Sequence, residues 1–380
     1  MSNIRLFFAG DFCSKPSTSK ITVADELKKL IQSCDLKVVN FEVSLKPNID
    51  LPPQRYERFW QHDDVPAFLQ GLGFNLFPMA NNHAFDWGDE GFKKTKAVLG
   101  DQSFGVGSYD DAYKVKVCEI NGLKIGFLAL TYAAYTGVFD DVLRHEGLGC
   151  AYINDLRVNH DIMEAKKTVD YLFVLPHDGI EYIDVPLPET IARYRDFIDY
   201  GADGVIASHP HCPQGWEEYK GKPIFYSLGN FFFNSKENTL YRAYNRPHWY
   251  EGVCVMMELF ENKINYSIIN TRNVDNVSII VDKEPNREEQ NQRLCLYIKN
   301  KDLYLEYLNE QCKKLSDSKE MLIIDKTTHP TSLKSYTKQA LQNWVKVLRK
   351  HEISSDFELK TLLRNDTRIN VLVRSLINEK

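Results

Sequence analysis

Through its first 275 or so residues the chain alternates short apolar runs with longer amphipathic stretches, and this alternation restricts it to a layered α/β architecture. IRLFFA (4–9), LKVVNF (36–41), FNLFPMA (74–80), KIGFLAL (124–130), VDYLFVLP (169–176), ADGVIAS (202–208) and IFYSL (224–228) read as strands. VADELKKLIQSC (23–34), DVPAFLQGL (64–72), DEGFKKTKAVLG (89–100) and PETIARYRDFIDYG (188–201) read as helices, the last closed by Gly201 as a left-handed cap. KVKVCEI and LKIGFLAL are joined by Asn121-Gly122, a type I′ hairpin signal, so the sheets should be mixed rather than purely parallel.

Near residue 275 the character changes. From 286 onward glycine nearly disappears and Lys, Glu, Gln and Leu dominate. Segments 288–315, 331–351 and 356–378 read as helices, punctuated by Pro330 and Ser354-Ser355. The expected organisation is an α/β domain over 1–275 and a helical C-terminal region over 276–380, whose charged faces read as solvated surface. The net charge of −5 gives no support for broad nucleic-acid binding. The apolar run at 4–9 is too short for a signal-peptide core, and 123–135 carries Lys124 and is too short to span a bilayer. The eight cysteines are scattered without a C-x-x-C pair, which fits reduced thiols in a cytoplasm.

The strand ends carry the chemistry. Strand one runs into Gly10-Asp11, strand two through Asn40 to Glu42, and strand three into Asn81, Asn82, His83 and Asp86. The 169–176 strand ends at His177-Asp178-Gly179, with Glu181 close behind, and the 202–208 strand ends at His209-Pro210-His211. In an extended chain, residues i and i+2 point the same way, so the last pair should project together from the mouth of its strand. Taken singly, each group has a plain reading as turn chemistry or a satisfied histidine. Together, five strand ends collect carboxylates, an amide and imidazoles at the carboxyl edge, where α/β sheets bind ligands. Oxygen and imidazole donors without thiolates suit Mn, Fe or Zn in an open, catalytic site, and more than four donors suggest two ions sharing a carboxylate.

GDFC (10–13), NFEVSL (40–45), ANNHAFDWGDEGF (80–92), FGVGSYDDA (104–112), INGLKIGFLALTY (120–132), LPHDGIEY (175–182), YGADGVIASHPHCPQG (200–215) and KGKPIFYSLGNFFF (220–233) occur in that order. Over residues 4–275 the chain thus resembles the CapA family, the capsule and poly-γ-glutamate biosynthesis proteins. The resemblance implies a calcineurin-like metallophosphoesterase relative, a four-layer αββα sandwich of two mixed sheets. It implies one or two divalent ions: Asp11 and His211 on one, Asn82, His177 and His209 on the other, and Glu42 as the bridge. His83 would take the place of the catalytic histidine, with Asp86 and Glu181 orienting imidazoles. Phosphoesterases carry Asp-x-His in the first motif, where this chain has Asp11-Phe12-Cys13, and family members tend to have His-Trp-Gly where it has His177-Asp178-Gly179. The expected activity is a metal-dependent hydrolase or transferase acting on a phosphoester or amide, with an anionic polymer or phosphorylated small molecule as substrate. The other reading is a non-catalytic, anion-binding component of a capsular polymer assembly, with a partner enzyme of a capsule or glycan system.

Overall fold

A computed structural model describes residues 3–49, 58–132, 137–139, 146–234, 248–260 and 263–317. The first sheet contains β1 (Ile4–Ser14), β2 (Thr22–Val23), β3 (Leu36–Phe41), β14 (Asn230–Asn234), β15 (Glu251–Phe260), β16 (Lys263–Val274) and β17 (Ser278–Val281). The second runs in the order β12 (Trp216–Tyr219), β13 (Lys222–Phe225), β11 (Gly204–Ile206), β10 (Tyr171–His177), β8 (Leu123–Thr131), β7 (Lys116–Ile120). Both sheets mix parallel and antiparallel pairs. Two small two-stranded pairs complete the set: β4 (Phe77–Pro78) with β5 (Ser103–Phe104), and β6 (Val106–Gly107) with β9 (Gly149–Cys150). The helices of the same unit are α1 (Asp25–Gln32), α2 (Val65–Leu72), α3 (Gly88–Leu99), α4 (Tyr109–Ala112), α5 (Arg157–Lys166), α6 (Pro188–Asp199) and α7 (Pro285–Lys299).

Side-chain alternation along the strands builds four layers. Phe8 of β1 meets Phe127 and Phe173 of the second sheet at ring-centroid distances of 6.4 and 5.7 Å, so these rings fill the space between the sheets. Phe7, one residue earlier, turns to the other face and meets Phe74 at 6.2 Å. On the second sheet, Leu128, Leu172 and Val174 face away from that interior and pack with Val158 and Ile162 of α5 and Tyr194 and Phe197 of α6. The expected αββα sandwich of two mixed sheets is therefore the fold observed.

Local expectations hold in most places. The Asn121-Gly122 turn has φ of 52° and 80°, as a type I′ hairpin requires, and Gly201 sits at φ 119° just after α6. The expected strand at 74–80 is reduced to Phe77–Pro78, because Pro78 cannot donate to a ladder and the chain turns at once into the 81–87 loop. Helix α5 and strands β14 to β17 were absent from the sequence reading; β16 carries polar residues on an outer face, whereas β14 and β15 are buried along most of their length. The expected helix at 288–315 is broken at Asn300 into α7 and α8 (Lys301–Asp317). The helices expected at 331–351 and 356–378 lie outside the described residues. The chain divides into two units, Met1–Lys299 and Asn300–Lys380, the second containing α8. No helix among the described residues is long and apolar enough to cross a membrane.

Candidate metal centre

Strand β1 organises the centre. One edge pairs with β3 along most of its length. The other pairs first with β15 over Ile4–Phe8 and then with β14 from Asp11 onward, with a register shift between Asp11 and Phe12. At the change of partner the backbone of Gly229 passes so close that a β-carbon on Gly10 would lie 1.9 Å from its carbonyl oxygen. Glycine is therefore obligatory there. The amide of Asp11 donates to the same Gly229 carbonyl at 3.0 Å. The register then sets Asp11 between Asn40 of β3 and Asn230 of β14.

These two asparagines hold the acid and its histidines. Asn40 Nδ2 donates to Asp11 Oδ1 at 2.6 Å and lies 3.1 Å from His177 Nδ1. His177 Nε2, on the far side of the ring, lies 2.9 Å from Asn82 Oδ1. Asn230 Oδ1 accepts from His211 Nδ1 at 2.9 Å, which leaves Nε2 of His211 as the atom facing Glu42 Oε1 at 3.7 Å. His177 Nε2 lies 3.9 Å from the same Glu42 oxygen, and Asp11 lies 3.7 Å from His177 and 3.6 Å from His211. His209 contributes its backbone N–H to Asp11 Oδ2 at 3.1 Å and its ring Nδ1 to a 3.2 Å contact with His177 Nε2.

The expected donors thus converge. Asp11, Glu42 and His177 offer ligand atoms within 4.8 Å of one another, all three buried, and Asn82, His209 and His211 join them through the contacts above. The route of convergence differs from the sequence reading in one respect. His209 and His211 are not extended: their φ values are 111° and 56°, and the neighbouring Val43, after Glu42, has φ 84°. Non-glycine residues in this region cost about 1–3 kcal/mol each, which the surrounding structure must offset. The two imidazoles approach to 6.0 Å between centroids by a strained turn, not by strand alternation.

Burial sets the electrostatics. Desolvation pushes the carboxyl of Asp11 up to about 7, with hydrogen bonds from Asn40, His209 and Ser208 pulling the other way. It pushes His209 down to about 4 and His177 well below its ordinary value, the latter helped by His209 and His211. His177 and His209 are consequently neutral at pH 7, the form that coordinates metals. Buried Nε2 of His209 and Nδ2 of Asn82 have no hydrogen-bond partner among the described residues. A buried acid surrounded by neutral imidazoles and amides, with an orphaned ring nitrogen beside it, is the donor set of a hard to borderline divalent cation. The residues fit such an ion.

The expected catalytic groups lie beside this cluster. His83 Nδ1 donates to Asp86 Oδ2 at 2.9 Å, and both are buried. His83 lies near enough to add to the lowering of His177 and His209, and Glu181 near enough to oppose it at His209. Asp178 accepts from Thr190 in the first turn of α6. Cys13, in the position of the histidine of the phosphoesterase first motif, packs in an apolar cluster with Val43, Phe233 and Trp249.

Sequence reasoning left Asn40 and Asn230 out of the site, although Asn40 lies near the end of β3 and Asn230 opens β14, both next to named motifs. It also missed the ring wall: Tyr132 lies 4.6 Å from His209, while Trp249 and Phe233 each lie 4.8 Å from His211. Trp249 comes from a distant segment, tied in through its carbonyl to Asn230 Nδ2 at 2.9 Å, and no local pattern announces it.

The family profile described as bacterial capsule synthesis protein PGA_cap matches residues 5–235. The chain is 32% identical over 180 residues to a capsule biosynthesis protein CapA of Bacillus anthracis, covering 45% of this chain and 43% of that one. It is 28% identical over 241 residues to a PGA biosynthesis protein CapA of Bacillus subtilis, covering 60% of this chain and 62% of that one. The match thus spans less than two thirds of either relative. Among solved structures, a novel phosphatase from Mycoplasma pneumoniae is similar with a TM-score of 0.45 and 17% identity, covering 76% of this chain and 98% of that one.

Proposed function

Because the chain belongs to the PGA_cap family of bacterial capsule synthesis proteins, we propose that it serves the making of a capsular polymer as a metal-dependent hydrolase or transferase acting on a phosphoester or amide bond. The observation that carries this reading is the buried convergence of Asp11, Glu42 and His177 within 4.8 Å, with the unpartnered Nε2 of His209 alongside. Asp11, Glu42, Asn82, His177, His209 and His211 would hold a divalent Mn, Fe or Zn ion, or two. Such an ion, when bound, supplies Lewis acidity and lowers the pKa of water.

The chain's own residues do the rest. Asn40 and Asn230 fix the rotation of His177 and His211 and so decide which ring nitrogen faces the centre. Asp86 keeps a proton on Nδ1 of His83, which makes Nε2 the atom that exchanges a proton with the leaving group. Tyr132, Phe233 and Trp249 line the centre with rings and exclude water from it.

A second reading, an anion-binding component of a polymer assembly without turnover, draws on Cys13, which packs among apolar side chains where phosphoesterases place a ligand. One experiment separates the two. The purified chain is stripped, reloaded with Mn, Fe or Zn, analysed for metal, and assayed on phosphodiesters, phosphomonoesters and γ-glutamyl amides. The expected result is bound ion and turnover in the wild type. His209→Asn should lose the ion, and His83→Ala should keep it while losing roughly 10²–10³ in rate. Bound ion without turnover on any bond class favours the second reading, and a chain that retains no ion sinks the metal centre.

A further inference from the structure

The acids of the centre are tied from close by, one of its imidazoles from farther away. The buried amide of Gln61 donates to the carbonyls of Phe12 and Glu42 at 2.6 and 2.9 Å and accepts from Ser14 N at 2.8 Å, which joins the two acid-bearing strands directly. His211 depends instead on a short turn, 248–250, that leads into β15.

The middle residue of that turn acts through both its ring and its backbone. The Trp249 ring is buried and lies 4.8 Å from His211 and 5.1 Å from Phe233. Its carbonyl accepts from Asn230 Nδ2 at 2.9 Å, and the carbonyl of His211 accepts from the same nitrogen at 3.4 Å. A carbonyl can only accept, so these two contacts decide which end of the Asn230 amide is nitrogen. Oδ1 is the atom left for His211 Nδ1 at 2.9 Å, so Nδ1 carries hydrogen and Nε2 faces Glu42 Oε1 at 3.7 Å. The placement of hydrogen on His211 thus follows from where the Trp249 carbonyl sits.

The turn is seated from α7. Glu251 N donates to the His248 carbonyl at 3.1 Å and closes it. Glu251 Oε2 then gathers three nitrogens: His248 Nδ1 at 2.7 Å, Arg287 Nη1 at 2.6 Å and Gln290 Nε2 at 3.2 Å. Arg287 Nη1 also donates to Gln290 Oε1 at 2.6 Å, and Nη2 donates to the Gly252 carbonyl at 3.4 Å. Arg287 and Gln290 are both buried. Hydrogen bonds that include a charged partner are about twice as strong as neutral ones, so the helix fastens the turn rather than merely resting on it.

We propose that Arg287 and Gln290 are positioning residues for His211: through Glu251 they seat the 248–250 turn, and the Trp249 carbonyl passes that placement to the Asn230 amide and so to the imidazole. That Nε2 of His211 then serves an ion rests on the function proposed above; the orientation of the ring does not.

The test uses the full chain, stripped of metal, with isotope-labelled histidine and at a pH where imidazoles are neutral. Long-range hydrogen–nitrogen correlation spectra separate a ring protonated on Nδ1 from one protonated on Nε2, and the spectrum of His211→Asn identifies the His211 signals. Wild type should show the Nδ1–H form alone. Arg287→Ala with Gln290→Ala should convert it to a mixture of both forms, whereas Arg287→Lys, which keeps a cation on Glu251, should retain it. Ile298→Val trims the same buried face of α7 away from the turn and should leave the signals unchanged. Zinc titrated into the same proteins should bind about tenfold more weakly to the double variant, the low end of the loss expected for partners behind a ligand. Should the double variant not fold, Gln290→Ala alone carries the same reading. An unaltered Nδ1–H pattern in the folded variant, or an equal change in Ile298→Val, overturns the proposal. A converted pattern with unchanged zinc affinity supports the positioning and removes His211 from the donor set, so the two readings fail separately.

Discussion

Gly10 carries no side chain, yet the acid after it depends on it. A β-carbon there would meet the Gly229 carbonyl at 1.9 Å, so Gly10→Ala must push β1 away from the segment that leads into β14. The expected outcome is a loss of about 3 kcal/mol in urea unfolding, at the upper end of overpacking costs, together with loss of bound metal. A variant as stable as wild type would mean that the strands can separate without harm. Asp11 itself was legible from sequence, as were Glu42, Asn82, His177 and the 209/211 pair, because each ends an apolar run. The asparagines that orient them were not. Asn40 and Asn230 act only through register with β1, and register is a property of paired strands that a single strand does not display.

At the scale of elements, α7 docks through a buried face of Arg287, Gln290, Asn291, Leu294 and Ile298, on which one side chain is charged. Arg287 is 2% exposed, and its guanidinium meets Glu251 Oε2 at 2.6 Å, Gln290 Oε1 at 2.6 Å and Asp282 Oδ2 at 3.4 Å. Glu251 also holds His248 at 2.7 Å, and between those two residues lies Trp249, the ring against His211. Arg287→Ala takes the guanidinium from Glu251 and Asp282, which keep His248 and Arg272 as partners, and should cost about 1.5–3 kcal/mol. Limited proteolysis should then cut within α7 before the sheets, and an unchanged cleavage pattern would argue that apolar packing alone retains the helix. The helices of the sandwich were readable from sequence where their apolar faces repeat at helical spacing, as Leu27 and Ile31 do in α1. Helix α5 has the same i,i+4 spacing in Val158 and Ile162, and the sequence reading passed over it all the same.

For the molecule as a whole, the buried centre makes stability depend on pH in a direction that follows from the cited shifts. Asp11 is raised from 3.8 to about 7, so the folded chain holds that proton and its contribution declines as pH rises through this range. His209 is lowered to about 4 and His177 well below 6.5, so the unfolded chain takes protons that the folded one refuses. Their contribution is present above 6.5 and is lost as pH falls toward 4. Two imidazole protons outweigh one carboxyl proton, so the metal-free protein should lose stability from these groups as pH falls from 6.5 to 4.5, by at most roughly 1 kcal/mol per pH unit. Urea unfolding of wild type in chelator, compared with His177→Asn/His209→Asn, isolates the effect. A difference that stays flat or grows in favour of wild type on acidification contradicts it.

Gln61 sits between these scales. Its single amide grips the carbonyls of both acid-bearing strands and the backbone of β1 beyond them, so the loop that carries Trp60 cannot shift without loading those strands. A fluorine label on the Trp60 indole is therefore a spectroscopic window on the interior: its chemical shift should register the arrival of an ion that the indole never touches.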